Sequence, residues 1–316
     1  SEIPFDGPVG AVRVGKINGE FVANPSKEQR DISEMDLIVC GTAEHIIMVE
    51  AGANLVPEED IVEGIKVAQI SLKALAQIQD DFKAQVGKPK TENYIVIKPA
   101  DVVMDKVKEL LTADKIEAAL YVTGHQLRGA NSKALTKEIV AATVEALGEV
   151  EGVNVAKDAY LAIDTVLKKY MQKQILEKDR RVDGRAMNET RKITAEVGIL
   201  PRTHGSALFT RGETQVLTVT TLGSKGDEQL LDGMEDPSEG RAKRYIHHYN
   251  FPGYSVGEVS PNRGAGRREV GHGALAERAV EVVLPAQEDF PYTMRLVSET
   301  MSSNGSTSMA STCGAS

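Results

Sequence analysis

The chain holds two cysteines in 316 residues, Cys40 and Cys313, and no tryptophan. Two thiols cannot build a disulfide framework, which points to a reducing compartment and a cytoplasmic location. No apolar run reaches the roughly 18 residues of a membrane span, so no membrane role is expected. The opening Ser1-Glu-Ile-Pro-Phe5 has neither the basic flank nor the hydrophobic core of a signal peptide. With no initiator Met and a stop inside a small-residue run, both ends read as cut from a longer chain. Excess positive charge is missing too. A net charge of −9 excludes a wholesale basic nucleic-acid binder, so any polyanion must meet a local patch. GxxxxGK[ST] and GxGxxG runs and Cys/His metal spacing are absent. No internal repeat is visible.

What is present supports sizeable cores, with 41% hydrophobic residues and a length that suggests two or three domains. Residues 1 to about 50 read as β. Gly10 to Ile17 and Glu20 to Ala23 flank Asn18-Gly19, the pair a type I′ hairpin turn favours. Asp36 to Cys40 and Ile46 to Glu50 are two further β-branched runs. Val56-Pro57 then opens a helix with Pro57 at its first position. Ile61, Ile65, Ala68, Leu72, Leu75 and Phe82 give it one apolar face. Gly87 to Lys90 marks a boundary.

From Asp101 to Glu177 the spacing predicts short helices. One is opened by Asn131-Ser132 as caps and closed by Gly148, and His125 stands alone as a surface or satisfied residue. Lys178 to Arg185 is a charged linker, read as a solvated turn. Strands are expected at Ile193 to Val197, Ala207 to Thr210, Gln215 to Thr221 and Tyr245 to Phe251. Leu222 to Gly240 reads as a mobile loop and Glu269 to Leu284 as a helix. The expected domains are residues 1–90, 91–177 and 178–316.

Two stretches could carry chemistry. The alternating run Tyr292 to Ser298 leads into Ser302 to Ser316, which is almost entirely Ser, Thr, Gly, Ala and Asn. A strand entering such a turn presents backbone N–H groups and hydroxyls to an anion, although a Ser/Gly tail has the same composition. Arg241, Lys243, Arg244, Arg263, Arg267 and Arg268 form a local positive field with Tyr245, Tyr249, Phe251 and Tyr254 among them. That pattern could track single-stranded nucleic acid, or be a strand with exposed charges. Within it, Arg267 and Arg268 offer forked donors to phosphate oxygens, and His272 follows within the first helical turns. If Arg267, Arg268, His272 and the Ser306-Thr307-Ser308 turn converge, they frame a site for two anions: a phosphodiester and a free phosphate.

The runs LPRTHGSALFTRGETQ (Leu200 to Gln215), YNFPGYSVGE (Tyr249 to Glu258), RREVGHGALAERA (Arg267 to Ala279) and SSNGSTSMASTCGAS (Ser302 to Ser316) resemble the second ribonuclease-PH-like core of bacterial polynucleotide phosphorylases. Ile3 to Gly15 resembles the late part of that family's first core, and the region from about Asp101 its connecting helical domain. The resemblance implies an α+β fold, with RNase PH-like (ribosomal protein S5 domain 2-like) partial cores joined by an all-α domain. It also implies a homotrimeric ring, RNA as substrate, possible partners in RNA-degradation assemblies, and Mg²⁺-dependent phosphorolysis. Inorganic phosphate would release nucleoside diphosphates from the 3′ end. Ser306, Thr307 and Ser308 would hold phosphate, Arg267 and Arg268 would grip RNA, and His272 would support the scissile group. The family's metal-binding aspartates would lie beyond Ser316, so the stretch alone is expected to be inactive and to bind no metal. Thr307 stands where the family commonly has serine. A non-catalytic RNA-binding ring subunit and a helical scaffold stay open as alternatives.

Overall fold

Alternation of apolar residues sets the first sheet. In the computed structural model, which describes residues 1–231, 242–261 and 264–316, β1 (Gly10–Ile17) and β2 (Glu20–Ala23) form the expected hairpin. Asn18 and Gly19 both take positive φ, 51° and 84°. A five-residue helix, α1 (Lys27–Asp31), precedes β3 (Met35–Gly41) and β4 (Ile46–Ala53). The order is β2-β1-β3-β4, antiparallel throughout. The long helix α2 (Glu58–Val86) covers one face of this sheet. Val12, Val14, Leu37 and Val39 pack there against Ala68 and Leu72, each large side chain contributing roughly 1.5–3 kcal/mol by burial. Pro57 is the residue that caps α2 rather than its first helical residue.

Residues 94–192 form one unit, and residues 1–93 with 193–316 form the other. The 94–192 unit consists of α3 (Asp101–Leu110), α4 (Ala113–Leu120), α5 (His125–Leu147) and α6 (Val155–Lys178) around a core that includes Val103, Val107, Ile116, Ile139 and Ile163. Helix α5 starts at His125, which is exposed, so Asn131 and Ser132 lie inside it and not at its cap. Its first buried residue is Leu135, so those early turns carry no amphipathic signal. The run after α6 is not a free linker. Arg180 pairs with Glu117 at 2.7 Å and stacks 4.1 Å from the Tyr121 ring centroid, while Tyr170 donates to Glu117 at 2.7 Å. That bond pushes the Tyr170 hydroxyl up to about 12. Among the described residues no helix is long and apolar enough to cross a membrane.

The second sheet uses β5 (Ile193–Val197), β6 (Gly205–Arg211) and β7 (Thr214–Gly223) as an antiparallel meander. The small pair β8 (Gln229–Leu230) and β9 (Ala242–Lys243) lies outside that sheet. It places part of the expected Leu222–Gly240 loop in regular structure, and residues 232–241 lie outside the described residues. Then follow β10 (Tyr245–Asn250), α7 (Arg267–Glu281), β11 (Thr293–Ser302) and α8 (Thr307–Ala315). The order is β10-β11-β7-β6-β5, with β10 and β11 parallel. Helix α7 seats on β10 at Gly273, where a Cβ would stand 2.7 Å from the His247 carbonyl oxygen. Helix α8 seats on β7 at Gly314, where a Cβ would stand 2.8 Å from Thr218 Oγ1.

The interior beneath these helices is unusually polar. His247, 4% exposed, shares a hydrogen bond with Ser298 Oγ at 3.0 Å, and Ser298 shares another with Thr218 at 2.7 Å. Burial pushes the His247 imidazole down to about 4.

Candidate functional site

The ends of three elements meet at one cleft of about 440 Å³. Its walls are Phe251, just past β10; Arg268 and His272 on α7; and Ser303 with Gly305–Ser308, entering α8. Val256 and Glu258 complete the lining. Arg268, His272, Ser306, Thr307 and Ser308 are therefore brought together. Arg267 is exposed at the first position of α7 and does not line the cleft.

The small-residue run turns because Gly305 and Ser306 both take positive φ, 91° and 32°. Glycine does this freely, whereas serine holds a left-handed conformation against its Cβ. The turn is braced from the β6–β7 hairpin. Arg211 donates to the carbonyls of Gly305 at 2.7 Å and Ser306 at 3.1 Å. Thr214 donates to Gly305 O at 3.1 Å and accepts from Asn304 N at 3.0 Å. So fixed, the chain starts α8 with its first N–H groups free of intrahelical partners, which is the geometry that receives anions. Ser306 is exposed and Ser308 half-buried, but Thr307 is 4% exposed. Its hydroxyl shares a 2.5 Å hydrogen bond with the Tyr249 hydroxyl.

Two arginines open α7, at the positive end of its dipole, where a cation costs roughly 0.3–1 kcal/mol. A bound anion would offset that cost. Glu269 reaches back to accept from Gly266 N at 3.0 Å and closes the helix start. The Arg268 guanidinium lies 4.6 Å from the Phe251 ring centroid, and Phe251 stacks on Tyr249 at 6.4 Å. One helical turn on, the His272 ring lies 5.1 Å from that of Tyr249. Its Nδ1 is buried with no hydrogen-bond partner among the described residues. Burial, and then the Arg268 charge, lower its pKa against a weaker pull from Glu269, so the ring is neutral at pH 7.

The wider positive field is largely committed elsewhere. Lys243 pairs with Glu277 at 2.5 Å, and Arg244 donates to the carbonyls of Pro285 and Phe290 at 2.5 and 3.1 Å. Tyr245 and Tyr249 are buried, and only Tyr254 of the tyrosines in that stretch is exposed. Arg241 and Arg263 lie outside the described residues. Among the described residues no three His, Cys, Asp or Glu side chains gather to hold a metal ion. The donors of the described residues therefore do not by themselves fit Mg²⁺.

Sequence reasoning missed Arg211, Thr214 and Tyr249 as supports of the turn. Charged and hydroxyl residues crowded into the two-residue turn of Arg211-Gly-Glu-Thr214 were the available signal.

Three family models match the chain. That of the 3′ exoribonuclease family, domain 2, covers residues 7–71, and that of domain 1 covers residues 189–316. The polyribonucleotide nucleotidyltransferase RNA binding domain covers residues 102–186. The polyribonucleotide nucleotidyltransferase of Heliobacterium modesticaldum is 48% identical over 314 residues, 99% of this chain and 43% of that relative. That of Caldicellulosiruptor saccharolyticus is 47% identical over 318 residues, again 99% of this chain and 43% of the relative. The chain thus spans less than half the length of the relatives it matches. A likeness to an Archaeoglobus fulgidus exosome with RNA bound to the active site covers 48% of this chain and 59% of that one, at TM-score 0.36 and 17% identity, and is too slight to argue from.

Proposed function

This chain belongs to the bacterial polyribonucleotide nucleotidyltransferase family, and from that premise we propose that its cleft takes inorganic phosphate and the 3′ end of RNA for phosphorolysis. A phosphate oxygen attacks the terminal phosphodiester phosphorus. The bond from that phosphorus to the 3′ oxygen of the penultimate nucleotide breaks, and that oxygen takes a proton. A nucleoside diphosphate leaves, and the reverse reaction polymerises. Such chemistry needs positioning and charge neutralisation more than a covalent nucleophile.

The single observation that carries the reading is the convergence of Arg268, His272 and the Ser306–Ser308 turn on one cleft. In this reading the hydroxyls of Ser306 and Ser308, with the first N–H groups of α8, hold the free phosphate. Thr307 serves through its backbone. Arg268 neutralises the scissile phosphodiester, Arg267 grips RNA further along, and neutral His272 offers a hydrogen bond to the scissile group. Mg²⁺, with ligands from outside residues 1–316, belongs to the same proposal, as do a homotrimeric ring, a cytoplasmic location and RNA-degradation partners.

The match of a domain-2 model at residues 7–71 ahead of a domain-1 model at 189–316 supports the domain reading. Residues 1–90 are then the late part of one core, 91–177 the helical domain and 178–316 the early part of a second core. A second reading, a non-catalytic RNA-binding subunit, draws on the lack of a metal-ligand cluster among the described residues.

The test is full-length protein with RNA and phosphate. Phosphate-dependent release of nucleoside diphosphates is expected. Arg268→Ala should weaken RNA binding about 10- to 100-fold, from the loss of a charged hydrogen-bond donor, and Arg267→Ala less. RNA binding with no diphosphate release would leave the binding-subunit reading in its place.

A further inference from the structure

Tyr249, near the end of β10, touches both halves of the cleft although it does not line it. It is 2% exposed. Its hydroxyl meets Thr307 Oγ1 at 2.5 Å, on the phosphate side. Its ring stacks on Phe251, which carries the Arg268 guanidinium, and lies 5.1 Å from His272, on the RNA side.

Resting on the phosphorolytic reading above, we propose that Tyr249 is a positioning residue with separable duties: its hydroxyl sets affinity for phosphate, and its ring sets affinity for RNA. Thr307 is the first residue of α8 and its side chain faces the interior. Its hydroxyl is buried and bonded to Tyr249, which leaves the backbone N–H groups and Ser308 better placed to meet a ligand. The hydroxyl acts as a peg that fixes the rotation of the first turn, and with it the aim of the backbone N–H groups and of Ser308. Removing one partner leaves the other hydroxyl buried and unsatisfied, so the turn must shift to find water or a carbonyl. The ring acts differently. It stacks on Phe251, and Phe251 is the platform over which the Arg268 guanidinium sits, a contact that depends on the aromatic face. Tyr249→Phe therefore removes the first duty and keeps the second.

Steady-state phosphorolysis by the full-length protein separates the two. Tyr249→Phe should raise KM for phosphate about 5- to 10-fold, the size of a lost buried hydrogen bond. Both kcat and KM for RNA should stay within about twofold. Thr307→Val should do the same, and the double variant should be no worse than either single one, because both remove one interaction. Thr307→Ser, which keeps the hydroxyl, should behave as wild type. Phe251→Leu should raise KM for RNA and leave KM for phosphate unchanged.

Inorganic phosphate titrated against the amide resonances of Ser306–Ser308 reads the same affinity without turnover. If wild type releases no diphosphates yet binds phosphate in a way Tyr249→Phe weakens, the reaction assignment fails and the role of Tyr249 stands. If Tyr249→Phe leaves phosphate affinity within twofold of wild type, or if the single effects multiply in the double variant, the role of Tyr249 is overturned.

Discussion

Ser306 occupies a backbone conformation that glycine would adopt without strain, at φ 32°. A serine there costs roughly 1–2 kcal/mol, against which glycine loses about 0.4–1 kcal/mol through a more mobile unfolded chain. Ser306→Gly should thus stabilise the fold by about 0.5–1 kcal/mol while raising KM for phosphate through the lost hydroxyl. Thermal unfolding and phosphate-dependent kinetics on the same variant check both halves. A drop in melting temperature would remove the strain argument.

His247 gives a pH dependence. Its folded pKa is about 4 against an ordinary 6.5. Between those values the unfolded state binds a proton that the folded state refuses. Stability is therefore fully present above pH 6.5 and falls as pH drops toward 4, by roughly 3 kcal/mol in all. Urea titrations at pH 7 and 4.5 should show wild type losing more stability than His247→Gln, and equal losses would count against it.

At the scale of elements, the site depends on how closely α7 approaches β10. Gly273→Ala places a methyl 2.7 Å from a backbone oxygen, which the sheet cannot yield. We expect a loss of about 1–3 kcal/mol, with KM raised for RNA and phosphate together, since Arg268 and His272 move with the helix. Gly271, two residues earlier, has nothing among the described residues within 4 Å of its would-be Cβ. There alanine should stabilise by roughly 0.5–1 kcal/mol through helix propensity. If the two substitutions behaved alike, close packing of α7 would not be the cause.

Elements with strong periodicity were legible from residues alone: β1 and β3 by alternation, α2 by its apolar face, β10 by Tyr245, His247 and Tyr249. Those that pack through small or polar residues were not. Helix α8 buries Thr307, Ala310, Ser311 and Gly314, which no hydrophobic pattern marks. The short α1 was readable only through its capping pair, Ser26 and Gln29. The meeting of residues at the candidate site was legible where chemistry-bearing residues cluster in sequence, since Arg268, His272 and Ser306–Ser308 line one cleft. It was misread at Lys243 and Arg244, because composition does not reveal that a carboxylate or a carbonyl waits across the fold.

At the scale of the whole molecule, the chain divides into two units. The helical unit is closed by the Glu117–Tyr170–Arg180 contact, and the other unit carries the cleft. Within the latter, its two chain segments are joined by an ion pair from Glu50 on β4 to Arg278 on α7, at 2.6 Å. As an exposed pair it adds little stability. Residues 1–316 expressed alone should bind phosphate weakly and release little diphosphate, because no cluster of hard oxygen ligands stands among the described residues. Robust Mg²⁺-dependent release from that stretch would refute this.

The grip of Arg211 and Thr214 on Gly305 spans 94 and 91 positions of chain. A turn held by partners so remote has no local means of persisting. It exists only after β6, β7 and β11 have zipped together, and it dissolves when they part. Under the proposed phosphate role, occupancy of that turn is linked to the global opening of the unit and not to fraying of a loop, so abundant free phosphate would act as a folding ligand and slow proteolysis across the whole sheet.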